Sequence, residues 1–130
     1  MALTAALADT SVFIALESGR TVHAAALPDI LRVSVITVGE LRQGVLSAID
    51  ADVRSVRLST LTRVLALEPL PITDPVAEAW ARLRVQLRAL GRSIPVNDSW
   101  IAATAITWRV PVVTQDTDYD DVPGLQVIRV

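Results

Sequence analysis

The sequence contains no cysteine and no lysine, and only one histidine, one tyrosine and one phenylalanine among 130 residues. Without cysteine neither a disulfide scaffold nor a thiolate metal site can form, and the composition fits a reducing compartment. The lone His23 rules out a paired-histidine metal site. The missing lysine removes lysine nucleophiles and lysine phosphate clamps, since all 12 basic residues are arginine. No apolar run approaches the ~18–20 residues needed to cross a bilayer. The start "MALTAALADTSVF" lacks the positive region of a secretion signal, so a cytoplasmic location without membrane association is expected. The net charge of −2 and pI near 5.2 supply no global basic field of the kind that advertises nucleic-acid binding. What is abundant is apolar surface. Hydrophobic residues make up 52% of the chain, and with glycine added the share exceeds the usual ~45–50%. That excess predicts burial against a partner protein or a second copy.

The length suits a single domain over residues 1–130. Along it, strand-like and helix-like segments alternate. "LTAALAD" (3–9) reads as a short buried strand, followed by a helix over "TSVFIALE" (10–17). "HAAALPDI" (23–30) reads as a weaker helix and "LRVSVI" (31–36) as a β-branched strand. Two long helices follow over 37–49 and 51–67, ended by Pro69 and Pro71. "TDPVAEAWARLRVQLRAL" (73–90) has a Thr73-Asp74 cap signal, Pro75 in its first turn and a sustained apolar period before Gly91. "NDSWIAATAITW" (97–108) is a further helix, and "VPVVT" (110–114) and "LQVIRV" (125–130) are strands. Alternation of this kind predicts an α/β fold with a mostly parallel central sheet of four or five strands.

In such sheets sites gather beyond the carboxyl ends of the strands. Acidic residues occupy those places. Asp9 ends the first strand, Glu40 follows the second, Asp98 lies in the first turn of a helix, and Asp116 and Asp118 follow "VVT". Each has a structural explanation. Asp9 suits a helix cap. Thr37 and Glu40 match the capping-box pattern. Asp98 follows Asn97, another good cap, and favours the helix dipole. Asp116 and Asp118 suit a solvated turn, and Asp120 and Asp121 are assigned to one. Taken together, convergence of Asp9, Glu40, Asp98 and Asp116 would raise their pKa values by repulsion, which a divalent cation relieves. Oxygen ligands without histidine or cysteine suit Mg²⁺ or Mn²⁺, and such sites take further ligands from phosphates.

Four segments, "ADTSVFIAL" (8–16), "ITVGELRQGV" (36–45), "GRSIPVNDSWIAATA" (91–105) and "VVTQDTDYDDVPGLQV" (112–127), resemble the motif regions of the PIN domain. The likeness is greatest to VapC-type ribonuclease toxins of bacterial toxin–antitoxin modules, and it spans nearly the whole chain. It implies a three-layer α/β/α fold and Mg²⁺-dependent cleavage of structured RNA. By the same resemblance, Asp9, Asp98 and Asp116 would bind metal. Glu40, Asp116 and Asp118 would be catalytic, with Glu40 or Asp116 orienting the attacking water. Thr114 would sit at the substrate by that resemblance, and Arg92, just before the motif helix, is the arginine placed to hold the substrate backbone. A cognate antitoxin and a homodimer are the implied partners. Tyr119 stands where phenylalanine is common in the family.

Other folds cluster acids around Mg²⁺. A receiver domain needs a pocket lysine, and a haloacid-dehalogenase-type phosphatase needs its Asp-x-Asp after the first strand and also expects a lysine. The remaining alternatives are a DNA-directed PIN-like nuclease and a non-catalytic module whose acids only cap helices and turns.

Overall fold

The computed structural model describes residues 3–130. It contains β1 (Ala5–Ala8), α1 (Thr10–Glu17), β2 (Ile30–Arg32), α2 (Val35–Ser47), α3 (Ala51–Leu65), α4 (Asp74–Ala89), α5 (Val96–Trp108), β3 (Val112–Thr114) and β4 (Val127–Arg129). The four strands form one sheet in the order β2-β1-β3-β4, and every pairing is parallel. The expected α/β class and parallel sheet are therefore present.

Side chains of β1 alternate between two cores, as the two-residue period of a strand requires. Ala6 and Ala8 join Val12, Phe13, Val38 and Leu61 beneath α1, α2 and α3. Leu7 points the other way, toward Leu83, Leu87, Ile101 and Ala105 of α4 and α5. Helices thus cover both faces, which explains why strands of only three or four residues survive. Their backbone bonds are sealed from water on both sides.

The chain leaves β1 toward β2 on one side and reaches β3 on the other. The order reverses between β1 and β3, where loops at the carboxyl edge diverge and leave a crevice. Asp9 directly follows β1, and residues 115–121 directly follow β3.

Four local expectations are corrected. Residues 23–30 do not form a regular helix; only a 3₁₀ turn over Ala24–Ala26 is present. Its three alanines are exposed and bury nothing, and Pro28 removes a helical donor. The strand expected over 31–36 stops at Arg32, because Ser34 caps α2 by accepting from the Ile36 amide at 3.0 Å. A well-placed cap outweighs the β-branched run behind it. Thr37 is therefore a buried residue inside the helix, and it does not form a capping box with Glu40. Likewise Asn97 lies within α5, whose cap position is Pro95 and carries no side-chain bond.

Candidate active site

Asp9 is 2% exposed, a costly place for a carboxylate unless donors surround it. They do. Asp9 caps α1, accepting weakly from the Ser11 amide at 3.4 Å. Its Oδ2 accepts from the Thr114 hydroxyl at 3.1 Å and its Oδ1 from the Tyr119 hydroxyl at 2.9 Å. The cap role and the site role coincide in one residue.

Asp98, in the first turn of α5, lies across the crevice, and the same Tyr119 hydroxyl also faces it. Burial, followed by the charges of Asp9, Asp118 and Glu40, pushes its carboxyl up to about 7. Asp116 is raised as well, by burial first and then by Asp9 and Asp118, with Arg20 opposing. Its amide donates to the Thr114 hydroxyl at 3.0 Å, fixing the turn after β3. Asp118 is exposed at the rim. Tyr119 is fully buried; burial and the facing charges of Asp9 and Asp98 drive its pKa far upward, so it remains a donor. Glu40 arrives from α2, where its Oε1 accepts from the Thr10 hydroxyl at 2.7 Å, and Thr10 is bonded to Thr37 at 2.9 Å.

The site is thus an acidic crevice at the switch point of a parallel sheet, assembled from α1, α2, α5 and the loop after β3. The PIN-domain family model matches residues 6–125. The chain is 47% identical over 129 residues to ribonuclease VapC5 of Mycobacterium tuberculosis, covering 97% of this chain and 96% of that protein. It is 46% identical over 125 residues to ribonuclease VapC4 of the same organism, covering 96% of each. This chain is a PIN domain of the VapC family. The crystal structure of a VapBC-family toxin–antitoxin member, VapBC-5 from Mycobacterium tuberculosis, superposes with a TM-score of 0.89 at 43% identity, covering 98% of this chain and 99% of that one. FitAcB from Neisseria gonorrhoeae superposes with a TM-score of 0.75 at 30% identity, covering 94% and 95%.

In this VapC-family chain, of the two residues expected at the substrate, Thr114 is committed inside the site and Arg92 is anchored at its edge. Thr114 is fully buried and commits its hydroxyl to Asp9, so it positions the acid instead of meeting substrate. Arg92 donates to the carbonyls of Asp121 at 2.6 Å and Asp120 at 2.7 Å, which staples the acidic loop to the segment before α5. Asp120 itself pairs with Arg129. Sequence reasoning missed Tyr119, Thr10 and Ser11 as site residues. The available signals were a sole tyrosine between two aspartates and two hydroxyls directly after Asp9.

Among the described residues no three acids close into a ready-made ion cage. The donor set nevertheless fits Mg²⁺ or Mn²⁺, which take one or two carboxylates and complete their shells with water and phosphate oxygens. Asp9 and Asp98 would hold the ion, with Asp116 beside them. The mutual repulsion that raises Asp98 is the feature a cation would relieve.

Tyr119→Phe keeps the buried ring and deletes only the donor to Asp9. Leaving a buried carboxylate short of one bond should destabilise the protein by about 1–3 kcal/mol. Urea unfolding at pH 8 checks this, and an unchanged midpoint would show that the bond contributes nothing.

Proposed function

We propose that this protein is the ribonuclease toxin of a bacterial toxin–antitoxin module, acting in the cytoplasm on structured RNA with Mg²⁺ or Mn²⁺ as cofactor. The observation that carries this reading is the pair Asp9 and Asp98 in a VapC-family crevice, with the buried Tyr119 hydroxyl donating to Asp9 and facing Asp98. Helix capping alone does not account for Asp98. It makes no cap bond, and its charge is opposed by three neighbouring acids. VapC5 and VapC4 are named as ribonucleases, which supports the activity.

A bound divalent ion would supply Lewis-acid activation of the scissile phosphate and of water. The chain's own residues do the rest. Asp9 and Asp98 present anionic oxygens from facing sides of the crevice. Tyr119 and Thr114 fix Asp9, so little reorganisation is needed when substrate arrives. Thr10 anchors one oxygen of Glu40, leaving the carboxylate aimed to orient a water. Asp116 and Asp118 close the far rim. Unpaired RNA suits so shallow a site, since duplex base edges are out of reach.

Purified protein should cleave RNA in Mg²⁺ or Mn²⁺ and stop in EDTA; equal cleavage in EDTA would overturn the metal mechanism. Glu40→Gln preserves an oxygen for Thr10 and removes the charge. Cleavage should fall by about 100-fold, within the usual range for a general base, with the fold intact by circular dichroism. Full activity in this variant would make Glu40 a structural residue.

The antitoxin partner follows from the VapBC likeness and from surface chemistry. A cleft of about 360 Å³ between α1, α2 and α3 is lined by Ile14, Glu17, Glu40, Leu41, Gly44 and Arg57. Leu46 and Leu58 stand exposed on α2 and α3 and Ile49 on the turn between them, whereas Leu67 packs against the core. An apolar antitoxin segment would cover these side chains. Because Glu40 belongs to both cleft and crevice, a basic residue of that segment would reach the acids. Exposed Val85, Leu90 and Trp108 on α4 and α5 are the surface available to a homodimer. Light scattering of the protein alone and with its co-expressed neighbour separates the two.

A further inference from the structure

We infer that the cleft formed by Arg84, Arg88 and Arg92 is a phosphate subsite that holds single-stranded RNA beside the acidic crevice. The inference rests on the ribonuclease reading above and adds where the substrate backbone lies. The cleft measures about 230 Å³ and is completed by Leu87 and Ser93.

Its position follows from the fold. Residues 90–95 turn α4 back onto α5, so the last turns of α4 lie at the same end as the first turn of α5, which carries Asp98. Arg84 and Arg88 are four residues apart and share one face of α4. Arg92 lies one further turn along and is fixed to the loop that holds Asp118 and Tyr119. Through Arg92 and Ser93 the cleft therefore adjoins the segment leading into α5, and the Arg92 bonds tie it to the loop after β3.

Two of the three guanidiniums are held in place. Arg84 lies over the Trp80 ring, 5.5 Å from its centroid. Trp80 stacks on Trp100 at 4.3 Å with the ring planes 2° apart, and its Nε1 donates to Ser99 at 2.9 Å. Ser99 is the neighbour of Asp98. The stack thus aims Arg84 from a base next to a candidate metal ligand. Arg92 is aimed by its two carbonyl bonds, which neutralise none of its charge.

None of the three has a carboxylate partner among the described residues, where the ion pairs are Arg82–Glu78 and Arg129–Asp120. The helix dipole accounts for Arg88 in the last turn of α4. It does not account for Arg84, a turn earlier, or for Arg92 beyond the helix end. Guanidiniums match phosphate geometry with paired donors. The need for such a site is also physical. The crevice is acidic and the chain carries a net charge of −2, so both repel a polyanion. A flanking cationic cleft offsets that repulsion within a few nucleotides of the scissile bond.

The test measures binding of a fluorescein-labelled single-stranded RNA by anisotropy across a salt series in the Asp98→Asn protein, which does not consume the probe. Arg84→Ala/Arg88→Ala is compared with Arg63→Ala, a charge control at the end of α3. The double variant should bind about tenfold more weakly. Its plot of log affinity against log salt should be shallower by about 1.4, two contacts at about 0.7 each for a single strand. Circular dichroism checks its fold. A double variant indistinguishable from Arg63→Ala overturns the subsite while wild-type cleavage leaves the ribonuclease reading standing. Wild-type protein that neither binds nor cleaves RNA overturns both. An oligoglutamate peptide that depends on these arginines when RNA does not would reassign the cleft to an acidic partner protein.

Discussion

Asp98→Asn should lose RNA cleavage by about 100-fold or more and yet, in EDTA at pH 8, unfold at a higher temperature than the wild type. The loss follows from removing one anionic oxygen of the candidate metal pair, where even supporting residues are worth about 10–100-fold. The gain follows from the site's electrostatics. Burial and the charges of Asp9, Asp118 and Glu40 all oppose ionisation of Asp98, so its carboxylate at pH 8 is held against a folding cost. Asparagine has nearly the same shape and no charge. Relief of about 1–2 kcal/mol corresponds to several degrees for a chain of this size. Thermal unfolding and a cleavage assay on one preparation test both halves. A variant less stable than wild type would mean that Asp98 is needed by the fold itself. Stability traded for activity in this way is common where like charges are gathered for chemistry.

The second large effect is the pH dependence of the metal-free protein. The folded-state pKa of Asp98, about 7, lies above its unfolded value of 3.8, and Asp116 is shifted in the same direction. The folded state therefore binds protons more tightly than the unfolded chain. The stabilising contribution of these two acids is fully present below the unfolded value and is lost as pH rises from about 4 through about 7. In EDTA the unfolding temperature should fall across that window by several degrees. Adding Mg²⁺ or Mn²⁺ at pH 8 should recover the loss, because a cation replaces the protons. A flat profile between pH 5 and 8, unaffected by metal, would show that these acids do not converge electrically.

The parts of the fold legible in the sequence were those where the local signals agreed. In α4 the Thr73 cap, Pro75 in the first turn and the spacing of Val76, Leu83 and Leu87 all agree, and the helix runs as expected. At residues 31–36 two signals competed. Ser34 is a strong cap set inside a β-branched run, and only the Val33 and Leu70 backbone bonding that places Ser34 at the sheet edge decides between them. The acids were readable because each follows a strand or opens a helix. The residues that orient them were not. Tyr119 reaches Asp9 across 110 positions and Thr114 across 105. Contacts of that span leave no period or spacing to detect. Arg92 illustrates the same limit: its charge was visible, but its two carbonyl acceptors were not.

The pairing of β1 with β3 has a consequence for biosynthesis. Asp9 is synthesised more than a hundred residues ahead of its two hydroxyl donors, Thr114 and Tyr119. No local segment can assemble the crevice early, since its closure waits on contacts of the greatest sequence separation, which are slow to form. A nascent or prematurely terminated chain that stops short of β3 lacks the strand beside Asp9, the turn bearing Asp116 and the Tyr119 donor to Asp9. A translating cell is thereby shielded from partial products: a complete crevice exists only in a polypeptide finished through residue 119.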